Sequence, residues 1–440
     1  MIPLCRMKKR IHLINPEKFP FFYGYIIAIV GTIGIWASIP GQTAGVSTFT
    51  DPVKDALALS RNQFSLAYMI GTLLSSFVLT KAGKLYDRYG ATSTASSSII
   101  LLAITLLLCS FSSALTQHIS TLMGINHWLI PFFLMVILFF MLRFSGQGVL
   151  TMTSRNMVMK WFDRKRGRIN AFSSVSVSLG FSASPIFIDY LIQRFGWQGA
   201  WQVMALGLLA ILVMVIFFYK DKPEDFGLKQ DGIIQKGNSK QQDAPTEISY
   251  TLPEAVRTRS FWMYSMALSF HAFFITGLTF HVVSLFAEAG LSRSEAISIF
   301  LPMTVVSVTV SIIANFISDW IKLKLILYTM LGGAFIASLG LLLIQNPIGT
   351  YLIIGGLGIT GGLFAVVTAI TWPRFFGRLH LGAISGKAMS MVVMASAIGP
   401  FLFSMAKTFT SSYAGVAYLS FLFLIIITIG SIKANPPIKS

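Results

Sequence analysis

Residues 127–142 read HWLIPFFLMVILFFML, and runs of the same apolar character recur from one end of the chain to the other. A run of about 20 such residues matches a helix that crosses a bilayer. Lipid offers backbone amides no partner, so a spanning run must be a helix or a strand of a closed barrel. The period-two alternation of a barrel strand is missing here. Composition agrees: 54% of the 440 residues are hydrophobic and 11% charged, against about 25% charged in a soluble domain. The expectation is an all-α, multi-span membrane protein. Cys5 in the basic tail and Cys109 in an apolar run imply no disulfide framework. The first long apolar run begins near Tyr23 without a small-residue cleavage site, so it is expected to stay as an uncleaved anchor.

Helices 1 to 12 are predicted at 24–49, 62–82, 91–113, 128–158, 168–192, 198–219, 261–287, 294–319, 323–345, 349–375, 383–408 and 412–432. An even number returns both termini to one side. The charges say which side. Of 34 Lys and Arg, only Lys54, Arg61, Arg194, Arg293 and Lys407 fall in one set of loops, and Arg143 falls inside a span. The rest belong to the tails and to loops 2–3, 4–5, 6–7, 8–9 and 10–11. Cationic loops stay cytoplasmic, so both termini are expected inside, in a cytoplasmic membrane. The net charge of +18 is then an orientation signal dispersed over short loops, and no nucleic-acid partner is expected.

The stretch 220–258 is rich in Lys, Gln, Asp, Gly and Pro, as a linker is. It divides the chain into a six-helix bundle over 1–219 and a second over 259–440. The end of the linker is expected to form a short surface helix leading into helix 7. The halves repeat. Leu59-Ser60-Arg61 and Leu291-Ser292-Arg293 lie 232 residues apart, as do Asp87 and Asp319. WFDRKRGRINA (161–171) resembles FFGRLHLGAISG (375–386), and Pro185 and Pro400 follow these segments 215 residues apart. Duplicated halves joined by a polar linker place a substrate path between them at mid-depth.

GKLYDRYGAT (83–92) resembles the loop 2–3 signature of the major facilitator superfamily, G-x-x-x-D-R-x-G, through Gly83, Asp87, Arg88 and Gly90. Thr92 stands where the pattern ends on a basic residue, and NFISDWIK (315–322) keeps only Asp319. GQTAGVSTF (41–49), KWFDRKRGRINA (160–171), RTRSFW (257–262) and FFGRLHLGAISG (375–386) look most like the monocarboxylate and oxalate:formate antiporter branch. The resemblance implies two six-helix bundles about a pseudo-two-fold axis, with helices 1, 4, 7 and 10 lining a central cavity. It implies a conformational latch: the 83–90 loop beside the start of helix 11 near Gly382, and Asp319 beside Gly167. Members of that branch also resemble one another in basic residues deep in helices 8 and 11. Helix 8 has none here, and Lys387 and Lys407 sit near the ends of helix 11.

Arg143 lies about 25 Å along the helix from Lys160 at 1.5 Å per residue, close to the bilayer centre. A charge at that depth costs several kcal/mol and faces a wet cavity or a partner. No Asp or Glu lies at mid-depth of any span; Asp189 and Glu288 are near outer ends. Arg143 is therefore expected to hold an anion, with an internal ion pair or a capping role as the alternative. Gln147 and Thr151 follow at i+4 and i+8 on the same face, while Gly146 and Gly148 suit close packing. His271 is near mid-depth of helix 7, either as a substrate or proton contact or as a hydrogen bond to a neighbouring helix. His281 lies farther out and suits a vestibule or packing role. Pro40-Gly41-Gln42-Thr43 interrupts helix 1, so Gln42 either contacts substrate or merely sits at a kink. GGLGITGG (355–362) reads as a close-packing segment of helix 10, and Trp161 and Trp372 as interfacial anchors.

No Walker loop, paired metal ligands or nucleophile motif is present, so no enzyme, metal or cofactor is expected. The expected function is secondary transport of a small organic anion, a carboxylate, with a proton or counter-anion as co-substrate and the chain acting as a monomer. One alternative is transport of drugs or of metal-chelating metabolites such as polycarboxylate siderophores. Another is a non-transporting nutrient sensor on the same fold.

Overall fold

The computed structural model describes residues 15–232 and 249–437, and within them the chain is helical with no β-strand. Cys5, the first residues of the tail and positions 233–248 of the linker lie outside the described residues.

Among the described residues, ten helices are long and apolar enough to cross a membrane. Two of them, Arg61–Ser110 and Arg166–Phe218, have 50 and 53 residues. At 1.5 Å per residue each is about 75 Å long, more than twice the roughly 30 Å hydrocarbon core. Each also contains a break. Gly90 has φ 79° and Gly196 φ 69°, backbone that a side chain resists, and the chain reverses there. Each long element is therefore two spans: helices 2 and 3, and helices 5 and 6. The fold is twelve transmembrane helices in two pseudo-symmetric six-helix bundles.

The remaining spans are Arg259–Ala287, Phe300–Ser318 with its leading turn Arg293–Ser298, Leu323–Leu342, Pro347–Phe376, Leu381–Thr410 and Ala414–Ser431 for helices 7 to 12. Helix 1 is not continuous over 24–49. It runs Gly24–Trp36, passes through a 3-10 turn at Ile39–Gly41 and resumes at Thr43–Ser47. Pro40 supplies no N–H, so the ladder stops there. Helix 4 is Leu129–Leu142 and Thr151–Trp161, joined by a π-helical stretch over Arg143–Leu150. Helix 3 ends at Ser110, and a further helix, Ser112–Met123, caps the 3–4 connection before Gly124 terminates it.

Helix 2 packs along helix 11, and helix 5 against helix 8, one pair the pseudo-symmetric image of the other. The linker is a strap in its first part. The Asp231 carboxylate accepts from the amides of Asp163 (3.2 Å) and Arg164 (2.8 Å), while Arg378 reaches Glu224 (3.0 Å). The expected surface helix is present at Leu252–Val256, opened by a Thr251–Glu254 capping box. The two tryptophans correct the sequence expectation. Trp161 and Trp372 are buried core residues, Trp161 beneath Tyr23 and Phe22, with its Nε1 donating to Lys220 O at 2.9 Å.

Candidate functional site: a polar seam between helices 1 and 4

Helices 1 and 4 touch through bare backbone. A Cβ on Gly146 would lie 2.8 Å from the Gly41 Cα, and one on Gly41 would collide with the Leu142 carbonyl. This approach brings the break in helix 1 onto the π-helical stretch of helix 4, and polar side chains gather there. Gln42 Nε2 donates to Ser38 Oγ (3.0 Å) and Thr151 Oγ1 (3.2 Å). Thr151 Oγ1 donates to Ser38 Oγ (2.9 Å). About two turns farther from the basic face, Arg143 Nη1 donates to Gly41 O (3.1 Å) and Thr43 Oγ1 (3.3 Å), and its guanidinium lies 5.2 Å from the Tyr68 ring centroid. Thr43 and the Tyr68 hydroxyl are themselves 3.0 Å apart.

Arg143 thus has a partner, which corrects the expectation of an unpaired cation. The partner is backbone, a carbonyl at the break in helix 1, together with an aromatic face. Arg143 is 2% exposed. A charge-assisted bond to a carbonyl and a cation–π contact offset part of the burial cost without neutralising the charge. Two polar atoms of this knot stay unspent among the described residues: Arg143 Nε and Gln147 Oε1 are buried without a hydrogen-bond partner. A π-helical stretch rotates successive side chains away from the α-helical register, and such stretches are frequent at functional sites.

The knot joins Arg143, Gln147, Gln42 and Thr151 with Thr43 of the interrupting segment and with Ser38 and Tyr68, which the sequence did not point to. His271 belongs to a different set. Its Nδ1 is 3.0 Å from Thr360 Oγ1 and its ring faces Phe364, both on helix 10. His281 packs on Phe403, with Nε2 at 3.0 Å from Pro400 O. Another residue was counted among the loop 4–5 cations but lies inside helix 4. Arg155 is half-buried, four residues beyond Thr151, and makes no hydrogen bond or ion pair to a described residue. The signal was the spacing, because Arg143, Gln147, Thr151 and Arg155 repeat at i+4.

The halves are bonded together toward the face that carries the basic loops. Asp87 accepts from the amides of Gly382 and Ala383, both at 2.7 Å, at the first turn of helix 11. A carboxylate there meets the free N–H groups and the positive end of the helix dipole. Asp319 accepts from Gly167 N at 2.9 Å, at the first turn of helix 5. Gly83 packs its backbone on Gly382. Arg88 lies over the ring of Tyr89 and lines a groove with Lys84, Asp87 and His380. Past the Gly90 break, Ala91 N donates to Asp221, which pairs with Lys160 at 3.1 Å. Asn156 to Ser385 (2.7 Å) and Asn170 to Asn315 (2.7 Å) extend the seam inward.

The model of the Major Facilitator Superfamily matches residues 21–404. The chain belongs to the major facilitator superfamily. It is 26% identical over 279 residues to YhjX of Escherichia coli K12, an uncharacterised MFS-type transporter; the match covers 63% of this chain and 59% of that protein. The chain therefore spans about three fifths of the length of that curated relative. Among solved structures it is similar to a bacterial homologue of the iron transporter ferroportin in an outward-facing state, with TM-score 0.62 and 12% identity over 93% of this chain and 98% of that one. It is also similar to the Escherichia coli fucose:proton symporter, with TM-score 0.58 and 13% identity over 94% and 100%. At these identities the two structures share the fold alone.

Proposed function

We propose that this transporter moves a small organic anion, a carboxylate, across the cytoplasmic membrane by alternating access. The basic face is cytoplasmic in this reading, with both termini inside. The conformer described here is then the one latched shut on the cytoplasmic side. The observation that carries the reading is the pair of unspent atoms at the knot. Arg143 Nε and Gln147 Oε1 lie one turn apart, on a buried cation with no carboxylate partner. A carboxylate supplies the missing charge and accepts from Nε; a hydroxyl or protonated oxygen on the same ligand donates to Gln147. Gln42 and Thr151 continue the polar path toward the cytoplasmic side, and a single chain contains the whole of it. A counter-anion or a proton supplies the driving force.

The test is a thermal-shift screen of purified protein against acetate, oxalate, succinate, citrate and ferric citrate, with tetraphenylphosphonium as a cationic control. A ligand at a hundred times its Kd stabilises by about 2.7 kcal/mol, a readable shift in Tm. Shifts from free carboxylates that persist as uptake into proteoliposomes support the reading. A shift from ferric citrate alone favours a chelate carrier, and one from tetraphenylphosphonium alone favours a drug exporter. Binding without uptake marks a sensor.

A further inference from the structure

Helix 4 carries a second guanidinium that no described residue neutralises. Arg155 lies twelve residues beyond Arg143, about 18 Å nearer the basic face. Its neighbours fix its bearing. Ser154 bonds the Tyr219 hydroxyl of helix 6 at 2.8 Å, and Asn156 bonds Ser385 of helix 11 at 2.7 Å. Met152 lies against Gly386 of helix 11, and Val158 against Gly31 of helix 1. Arg155 therefore projects between helices 1 and 11, at the boundary of the two halves and just inside the Asn156–Ser385 bond. Structural arginines of this chain are tied down: Arg166 binds Asp163 and Met159 O, and Arg374 binds Ser318 O. Arg155 is half-buried and untied. Leaving such a charge unpaired within a span costs free energy that packing does not return.

We propose that Arg155 is a second anion seat, at the cytoplasmic end of the path whose central seat is Arg143. It rests on the anion reading of Arg143 and adds a direction to it. When the latch opens, Arg155 meets the cytoplasm first. It draws an anion in on entry from that side and holds it last on release. The polar stripe through Thr151 and Gln147 links the two seats, and no carboxylate lies between them.

Two measurements test this. The first needs no substrate. Met159→Cys, one turn beyond Arg155 and buried in the latched conformer, is made in a chain carrying Cys5→Ser, Cys109→Ala and Asp87→Ala, the last to open the latch. Its reaction rates with the anionic sulfonatoethyl and the cationic trimethylammonioethyl methanethiosulfonates are compared. An untied guanidinium nearby favours the sulfonate, so Arg155→Gln lowers the sulfonate-to-ammonium ratio by about tenfold and Arg155→Lys preserves it. An unchanged ratio in Arg155→Gln overturns the proposal. The second is counterflow of labelled oxalate in proteoliposomes of known sidedness. Arg155→Gln raises the half-saturating concentration about tenfold on the cytoplasmic face and by less than about twofold on the external face. An equal rise on both faces also overturns it. If the unsubstituted chain moves no carboxylate while the ratio still falls, the carboxylate reading fails and the anion seat stands.

Discussion

Replacing Arg143 by glutamine separates the two roles that its surroundings allow. The guanidinium gives Gly41 O a 3.1 Å charge-assisted bond, worth about 1.5–3 kcal/mol. The bond to Thr43 is longer, 3.3 Å, and Thr43 already has Tyr68 at 3.0 Å, so it contributes little. The Tyr68 contact adds about 0.5–2 kcal/mol. Against these stands the cost of a buried cation, several kcal/mol, which glutamine does not incur. The two sides nearly cancel, and the ligand-free Arg143→Gln protein should melt close to the parent. Its affinity should not survive. Deleting one partner of a buried charge pair costs about 2–5 kcal/mol, or roughly thirty-fold to several thousand-fold in Kd. Arg143→Lys should recover part, because an ammonium can reach Gly41 O but has no Nε–H beside Gln147. Thermal melts with and without succinate or oxalate read both quantities in one assay. If Arg143→Gln binds the carboxylates normally but melts many degrees lower, Arg143 is a clamp on helix 1 and the anion site is elsewhere.

Other substitutions probe the frame around the site. Asp87→Ala orphans the Gly382 and Ala383 amides and should cost the closed latch about 0.5–2 kcal/mol, the scale for a lost helix cap. The thiol of Met159→Cys should then react several-fold faster with a membrane-permeant maleimide, whereas an unchanged rate would remove Asp87 from the latch. Asp319→Ala, which frees Gly167 N, should act in the same direction. Gly41→Ala drives a methyl into the Leu142 carbonyl and should cost about 1–3 kcal/mol, seen as lower Tm and expression. His271→Gln keeps a hydrogen-bonding group beside Thr360, so exchange should continue while acceleration by an imposed pH gradient disappears. Unchanged acceleration would place the proton on the substrate.

The contacts of Asp87 with helix 11 and of Asp319 with helix 5 were implied by the resemblance of GKLYDRYGAT to the loop 2–3 signature, and the hydrogen bonds to Gly382, Ala383 and Gly167 are there. Burial was legible too, since counting residues placed Arg143 well inside helix 4, where its side chain is buried. Its partner was not. Gly41 O becomes available only because Pro40 breaks helix 1, and the meeting depends on two glycines a hundred residues apart. Backbone carbonyls leave no mark in a search for carboxylates. Arg155 was hidden by its position near the end of a span, where an arginine passes for a loop cation. Trp161 and Trp372 were misread for the related reason that aromatic residues near helix ends suit an interface. Burial of Trp161 under Tyr23 and Phe22 is decided by how the N-terminal segment folds back.

The duplication is faithful in the latch and broken in the path. Asp87 and Asp319 cap the first turns of helices 11 and 5 in the same way. Helix 10, the counterpart of helix 4, carries no cation at the depths of Arg143 and Arg155. It presents glycines, with Gly356 close to Ala337 of helix 9 and Gly358 and Gly362 close to helix 8. A side chain at any of these positions would hold the helices apart. The second half is thus built as a compact unit with few polar demands, and the first half carries the charge that a ligand would answer. An anion bound to helix 4 would stay with the first half while the second rocks across it. In that arrangement the substrate's affinity is set almost wholly by residues of helices 1, 2 and 4. Substitutions at Thr360 or Phe364 should therefore change transport rate and leave Kd within about twofold, since additivity holds for sites without shared partners. A tenfold loss of oxalate affinity in Thr360→Val would show instead that both halves grip the anion.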